Sequence, residues 1–232
     1  MSPPAPPEAA RALLAGLLAR DPDLAAIERH AGPLPWRTRP PGFPGLLQAI
    51  VAQQISNAAA AAIWRRLSAT PGALDPVALL AMTDEPLRAA GLSRPKIVHA
   101  RALAEAFASG RLEAASLGAM EDEEAVAAIA AVRGMGRWSA EIYLLFALGR
   151  PDVFPSGDIA LAAAAAHLKR LPQRPGPAAL REMAEAWRPA RSLAARLLWH
   201  HWRHLTGRPA FDDFPAPAAT PSPPPRGRRG HG

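Results

Sequence analysis

Apolar residues along the chain recur at steps of three and four, the spacing of helix faces that pack on a core. Phe43, Leu46, Leu47, Ile50 and Val51 keep this rhythm behind Pro44, which predicts one long helix from Pro44 to about Leu67. Asp21-Pro22 reads as an N-cap followed by proline at the first helical position, opening a helix to about His30. Thr83 can cap a short helix ending at Gly91, and Ser93 another running through about Phe107. Further helices are predicted from Glu121 to about Ala131, from Arg137 to Leu148, from Asp158 onward, and over roughly 177–187 and 190–206. Residues 31–42 hold Gly32, Trp36 and four prolines and form a loop. No stretch alternates with a period of two, so the predicted fold class is all-α.

Composition supports this. Hydrophobic residues make up 49% of 232, enough for a packed core, while aromatics are 6%. Alanine supplies much of the apolar fraction and favours helix. The proline-rich start (residues 1–8) is expected to be flexible, and residues 209–232 to be a disordered basic tail that touches DNA phosphates non-specifically or is simply solvated. Lys+Arg is 27 against 20 for Asp+Glu, a net charge of +7, which suits a polyanionic partner such as nucleic acid. The chain has no cysteine, which excludes disulfides, thiolate zinc sites and cysteine-ligated iron–sulfur clusters. No leader-like or membrane-length apolar stretch is seen, so a soluble cytoplasmic protein is expected. The seven histidines show no metal-ligand spacing.

The strongest local motif is Val132-Arg133-Gly134-Met135-Gly136-Arg137-Trp138-Ser139-Ala140. One helix ends, two glycines make a tight turn, and a second helix starts at once. Glycine tolerates positive φ and lets a phosphate approach the backbone. The second helix then offers free N–H groups and its positive dipole end to that phosphate. Gly134, Gly136, Arg137 and Ser139 are the candidate DNA-backbone contacts. About twenty residues later, Asp152-Val153-Phe154-Pro155-Ser156-Gly157-Asp158-Ile159-Ala160-Leu161 places Asp158 at a predicted helix start. There it reads most simply as an N-cap. A carboxylate beside a DNA grip also suits stabilisation of an oxocarbenium-like sugar or orientation of a water, and the two roles are compatible.

The hairpin, FPSGDIAL, the upstream AIVAQQISNAAAAAI and GLSRPKI, and the downstream WRPARSLAARLLW occur in one order from about residue 20 to 205. Together they resemble the AlkA-type, DNA-3-methyladenine glycosylase II branch of the helix-hairpin-helix/Gly-Pro-Asp DNA glycosylases, in a compact form. The resemblance implies a two-lobed helical domain over 9–208, with the hairpin at about 122–149 and the active site in the cleft between lobes. It implies Asp158 as the essential acid and extrusion of the damaged nucleotide from damaged double-stranded DNA. Gln54 falls where the family places the wedge that fills the vacated duplex position, and it continues the 47, 50/51 stripe where an apolar residue was due.

Trp138 occupies the position of the catalytic lysine of bifunctional relatives, which implies a monofunctional hydrolase that leaves an abasic site. Trp138 and Trp199 match pocket aromatics whose faces suit a cationic alkylated purine. The backbone carbonyls of Ala130, Val132 and Met135 correspond to a monovalent cation site (Na+ or K+), and no other cofactor is expected. Two readings stand for Arg191: a buttress near Asp158 or a surface phosphate contact. Trp36 and Arg37 either line the cleft or pack. The family often carries a second acid before the catalytic one, where this chain has Gly157. A monomer acting on alkylated purines such as 3-methyladenine and 7-methylguanine is expected. The rivals are a relative acting on deaminated or oxidised purines, and a DNA-binding protein without chemistry.

Overall fold

The computed structural model describes residues 6–207; residues 1–5 and 208–232, on which most of the flexible start and the basic tail were expected, lie outside the described residues. Among the described residues all regular structure is helical: thirteen α-helices and one short 3-10 turn. They are α1 (Glu8–Arg20), α2 (Pro22–Ala31), α3 (Phe43–Ala52), α4 (Asn57–Ala69), α5 (Pro76–Ala81), α6 (Asp84–Ala89), α7 (Arg94–Ala108), α8 (Ala114–Ala119), α9 (Asp122–Ala130), α10 (Arg137–Phe146), α11 (Ile159–Leu168), α12 (Pro177–Ala184) and α13 (Arg191–Thr206), with the 3-10 turn at Glu185–Trp187.

The expected helices are present, with two kinds of correction. The single helix predicted from Pro44 to Leu67 is two helices separated by a turn at residues 53–56. Gln53 leaves the helical backbone at ψ 131, Gln54 takes φ 56, and the Ser56 hydroxyl accepts from the Ala59 N–H to cap α4. Gln54 therefore does not lie on a helix stripe; it sits exposed in the turn. Three helices were not anticipated. α1 buries only Leu17 and so carries a faint stripe, while α5 and α8 are six residues each, too short for periodicity to declare them.

Two hydrophobic clusters organise the molecule. One gathers α3 to α10 around Leu46, Leu47, Ile50, Trp64, Leu103 and Tyr143. The other gathers α1, α2, α11, α12 and α13 around Leu17, Ile27, Leu161, Leu180 and Leu197. Helix α10 belongs to both: Ala140, Tyr143 and Leu144 face the first, and Ile142, Leu145 and Phe146 the second. It is buried from Ser139 to Phe146, which makes it a shared wall rather than an amphipathic surface helix.

The loop at 32–42 closes over this wall. Arg39 N–H donates to the Phe146 carbonyl at 2.9 Å, and Gly42 N–H to the Tyr143 hydroxyl at 2.8 Å. Arg196 of α13 is 6% exposed and lies 4.4 Å from both the Trp36 and Phe146 ring centroids. One of its N–H groups donates to the Arg37 carbonyl. Trp36 thus packs on Arg196 of α13 and also lines an apolar pocket, while Arg37 is held there by its backbone carbonyl.

Charged and polar pairs tie the second cluster together. Asp21 caps α2 by accepting from the Leu24 N–H, and its carboxylate also takes Lys169 Nζ at 2.8 Å and the Trp187 indole N–H at 2.8 Å. Burial alone would raise its pKa, but these hydrogen bonds outweigh burial and hold it below its ordinary 3.8. His201 is buried between His30 and His167, with ring nitrogens 3.0 Å from each, and joins α2, α11 and α13. Its neighbour His200 turns away to the Gly32 carbonyl.

Asp21→Ala removes a cap, an ion pair and an indole acceptor at once, and is expected to cost about 2–4 kcal/mol at neutral pH by urea unfolding. Because the folded pKa is lowered, this contribution is fully present above 3.8 and disappears as pH falls through the lower folded value. The gap between wild type and variant should close there; a gap independent of pH would contradict the assignment.

Candidate active site and nucleic-acid interface

Asp158 stands at the end of the loop that leaves α10 and is the N-cap of α11. Its Oδ1 accepts from the Leu161 N–H at 2.9 Å. The same carboxylate receives two indole N–H groups: Trp138 Nε1 donates to Oδ2 at 3.0 Å, and Trp199 Nε1 to Oδ1 at 3.3 Å. Asp158, Trp138 and Trp199 are all part-exposed, so the carboxylate is ordered without being sealed from solvent. The sequence suggested that the two tryptophans lend their faces to a base. The structure adds that their edges hold the acid. One face of Trp199 is already stacked on Phe146, with centroids 5.6 Å apart. A planar ligand therefore has only the other face of that ring.

The loop carrying Asp158 is fastened at its start. Arg191 Nε donates to Asp152 Oδ1 at 3.0 Å, and another of its guanidinium N–H groups to the Asp152 carbonyl at 2.7 Å. Ser192 Oγ donates to the Val153 carbonyl at 2.9 Å and accepts from the Val153 N–H at 3.0 Å. Arg188 also pairs with Asp152. Arg191 is therefore the buttress, not a free surface cation. Ser192 and Asp152 were not singled out in sequence, since only the fold shows that the head of α13 faces residues 152–153.

The hairpin between α9 and α10 separates its two glycines by role. Gly134 has φ 87, and a Cβ there would lie 2.1 Å from His99 Cγ. Gly136 has φ −118, a conformation open to any residue, and a Cβ there would meet nothing within 4 Å. The folded protein needs glycine at Gly134 but not at Gly136. At Gly136, the N-cap of α10, the backbone is open to a close-approaching group, and no side chain caps the helix.

Two expected backbone-contact side chains have partners or cover within the fold. Arg137 spends its guanidinium on Glu123 and, at 2.9 Å, on Glu141. Ser139 is 3% exposed, so little of it reaches the surface. The Arg137–Glu141 pair lines a charged cleft of about 390 Å3 between α9–α10 and α12–α13. Burial there pushes the Glu141 carboxyl up to about 7 despite Arg137 beside it. Arg133, at the hairpin tip and passed over in sequence, is exposed. Of the carbonyls expected to hold a cation, that of Val132 accepts the Met135 N–H at 2.9 Å and keeps a second lone pair.

Gln54, the expected wedge, is exposed in the α3–α4 turn with left-handed backbone. Its neighbour Gln53 points inward, and its amide N–H donates to the Gly134 carbonyl at 2.9 Å. The turn carrying Gln54 is thus directly joined to the hairpin. Among the described residues no helix is long and apolar enough to cross a membrane. Nor does any group of three or more His, Cys, Asp or Glu side chains there form a metal-holding arrangement.

Comparison with known proteins agrees with this geometry. Residues 47–189 match the family model described as HhH-GPD superfamily base excision DNA repair protein. The chain is 34% identical to DNA-3-methyladenine glycosylase 1 of Schizosaccharomyces pombe over 161 residues, 66% of this chain and 69% of that one. Among solved structures it resembles the 3-methyladenine DNA glycosylase of S. pombe in complex with abasic DNA, with TM-score 0.72, 29% identity, and coverage of 84% of this chain and 95% of that one. It also resembles a DNA-3-methyladenine glycosidase from Bacillus halodurans, with TM-score 0.71, 33% identity, and coverage of 82% and 88%.

Gly134→Ala is expected to lower stability by about 2 kcal/mol or more, because a Cβ collides with His99 at positive φ. Gly136→Ala should stay within about 0.5 kcal/mol of wild type. Equal destabilisation of both in thermal unfolding would refute this division.

Proposed function

The chain belongs to the HhH-GPD superfamily of base excision DNA repair proteins, and from that premise we propose that it is a DNA N-glycosylase releasing alkylated purines of the 3-methyladenine and 7-methylguanine type. The observation that carries the reading is the Asp158 carboxylate, gripped by three N–H donors and open to solvent beside a helix-hairpin-helix. The names of the relatives support the substrate class.

In this reading the α10 N-terminus and Gly136 take a phosphate of duplex DNA, with Arg133 rather than Arg137 as the nearby cation. A cation on the Ala130, Val132 and Met135 carbonyls would add positive charge at the same place. The damaged nucleotide is extruded, Gln54 fills the vacancy, and the base rests against the free face of Trp199 and against Trp138. N-alkylation leaves the purine cationic, so it is attracted to aromatic faces and departs readily. Asp158 stabilises the cationic sugar as the N-glycosidic bond breaks and orients the water that completes hydrolysis.

Strand cleavage would need an amine nucleophile. The chain has two lysines: Lys96 donates to the Val51 carbonyl, and Lys169 is paired with Asp21 and Asp23. This supports a monofunctional enzyme that leaves an abasic site. We place it in the cytoplasm, working as a monomer at the nucleoid.

The test is release of free bases from methylated duplex DNA, measured chromatographically. Wild type should liberate 3-methyladenine and 7-methylguanine, and Asp158→Asn should lose about 100-fold or more in rate. Equal release by both proteins would remove Asp158 from its role. Binding without release by wild type would instead identify a DNA-binding module.

Trp138→Phe keeps an aromatic face, though a smaller one, and deletes one N–H donor to Asp158. It is expected to lower kcat about tenfold with little change in KM, the scale of one hydrogen bond to a charged group. A variant with wild-type kcat would show that the indole edge does not support the acid.

A further inference from the structure

Gln53 and Gln54 are adjacent, yet one is part-buried and the other exposed. Gln54 holds φ 56, a conformation that side chains other than glycine adopt at a cost unless neighbours fix the turn. Two contacts fix this one. Lys96 Nζ on α7 donates to the Val51 carbonyl at 2.7 Å, at the end of α3. Gln53 Nε2 donates to the Gly134 carbonyl at 2.9 Å, across 81 residues of sequence. One turn along α7 from Lys96, His99 packs on Gly134 so closely that a methyl group does not fit. The hairpin loop and the Gln54 turn are therefore clamped to the same stretch of α7 and bonded to each other.

We infer that Gln53 is a positioning residue: it carries the register that the hairpin takes on the DNA backbone across to Gln54, so that the inserting side chain meets the duplex at a set distance from the gripped phosphate. The chemistry suits the task. A backbone carbonyl of the hairpin can be read only by a donor, and the glutamine amide is a neutral one. Glutamate at this position would set an acceptor against an acceptor, and methionine would keep the shape with no donor at all. Gly134 itself offers no side chain, so its carbonyl is the handle by which another loop can sense the hairpin. This inference rests on the reading that the chain extrudes a nucleotide from duplex DNA.

The experiment measures insertion apart from chemistry. A duplex carries 2-aminopurine beside a tetrahydrofuran abasic analogue, and its fluorescence reports a side chain entering the stack. Wild type should give a strong response, and Gln54→Ala almost none. Gln53→Glu should lower the insertion equilibrium by about three- to tenfold, the worth of one hydrogen bond, while affinity for undamaged duplex stays within about twofold. Gln53→Met, which removes the donor without adding charge, should behave the same way and serves if the glutamate variant folds poorly. The decisive result is the double variant: on a Gln54→Ala background, Gln53→Glu should have no further effect. Additive losses, wild-type insertion by both Gln53 variants, a parallel loss of affinity for undamaged duplex, or no response from wild type would each overturn the proposal. The base-release assay is independent: insertion with a Gln53 dependence but no released base would leave this inference standing and defeat the glycosylase reading.

Discussion

A single carboxylate is the point on which this architecture converges. Asp158 accepts from its own helix through Leu161, from the hairpin helix through Trp138, and from the last helix through Trp199. A carboxylate that serves three donors on three helices fixes their mutual distances as much as they fix its orientation. The donors are matched to acceptor oxygens only, which makes the arrangement selective for an acid at this position. In the proposed reading, the group that does the chemistry is also one that ties three helices together.

Helix α10 makes that convergence possible. It has no solvent face beyond its first turn, because it supplies residues to both hydrophobic clusters. Its N-terminus is the open end that faces DNA in the proposed reading. Its first turn also bears Trp138, which touches the acid. In that reading the phosphate grip and the acid lie on adjoining elements, with Arg191 and Ser192 bracing the start of the loop between them. Close packing on both sides leaves such a helix little freedom to shift.

Much of this was legible in the sequence, in a specific way. The order of motifs placed the hairpin, Asp158 and the WRPARS block, and Asp158 proved to be both a cap and the centre of a polar cluster. What periodicity could not see was turned by tertiary contacts. The α3–α4 break was signalled only by Ser56, a good N-cap hidden in an otherwise helical run. Arg137 pairs with Glu141 four residues on, a spacing readable in advance, so the guanidinium expected at the DNA backbone is already engaged by a carboxylate. Gln53 and Ser192 form bonds to residues far away in sequence, and no local pattern announces a partner at that separation.

The double duty of Trp138 bears on how such enzymes diverge. The family resemblance sets Trp138 where bifunctional members carry a lysine, so a single-residue exchange separates the two positions. In this chain the same change would take a donor from Asp158 and set an ammonium group beside the carboxylate instead. Attraction between them would favour the ammonium form, so an amine able to attack would need further change around the acid. In the proposed reading that variant loses support for its acid before it gains any lyase activity. Moving between the two chemistries then means remodelling the cradle around the acid as well as exchanging one side chain.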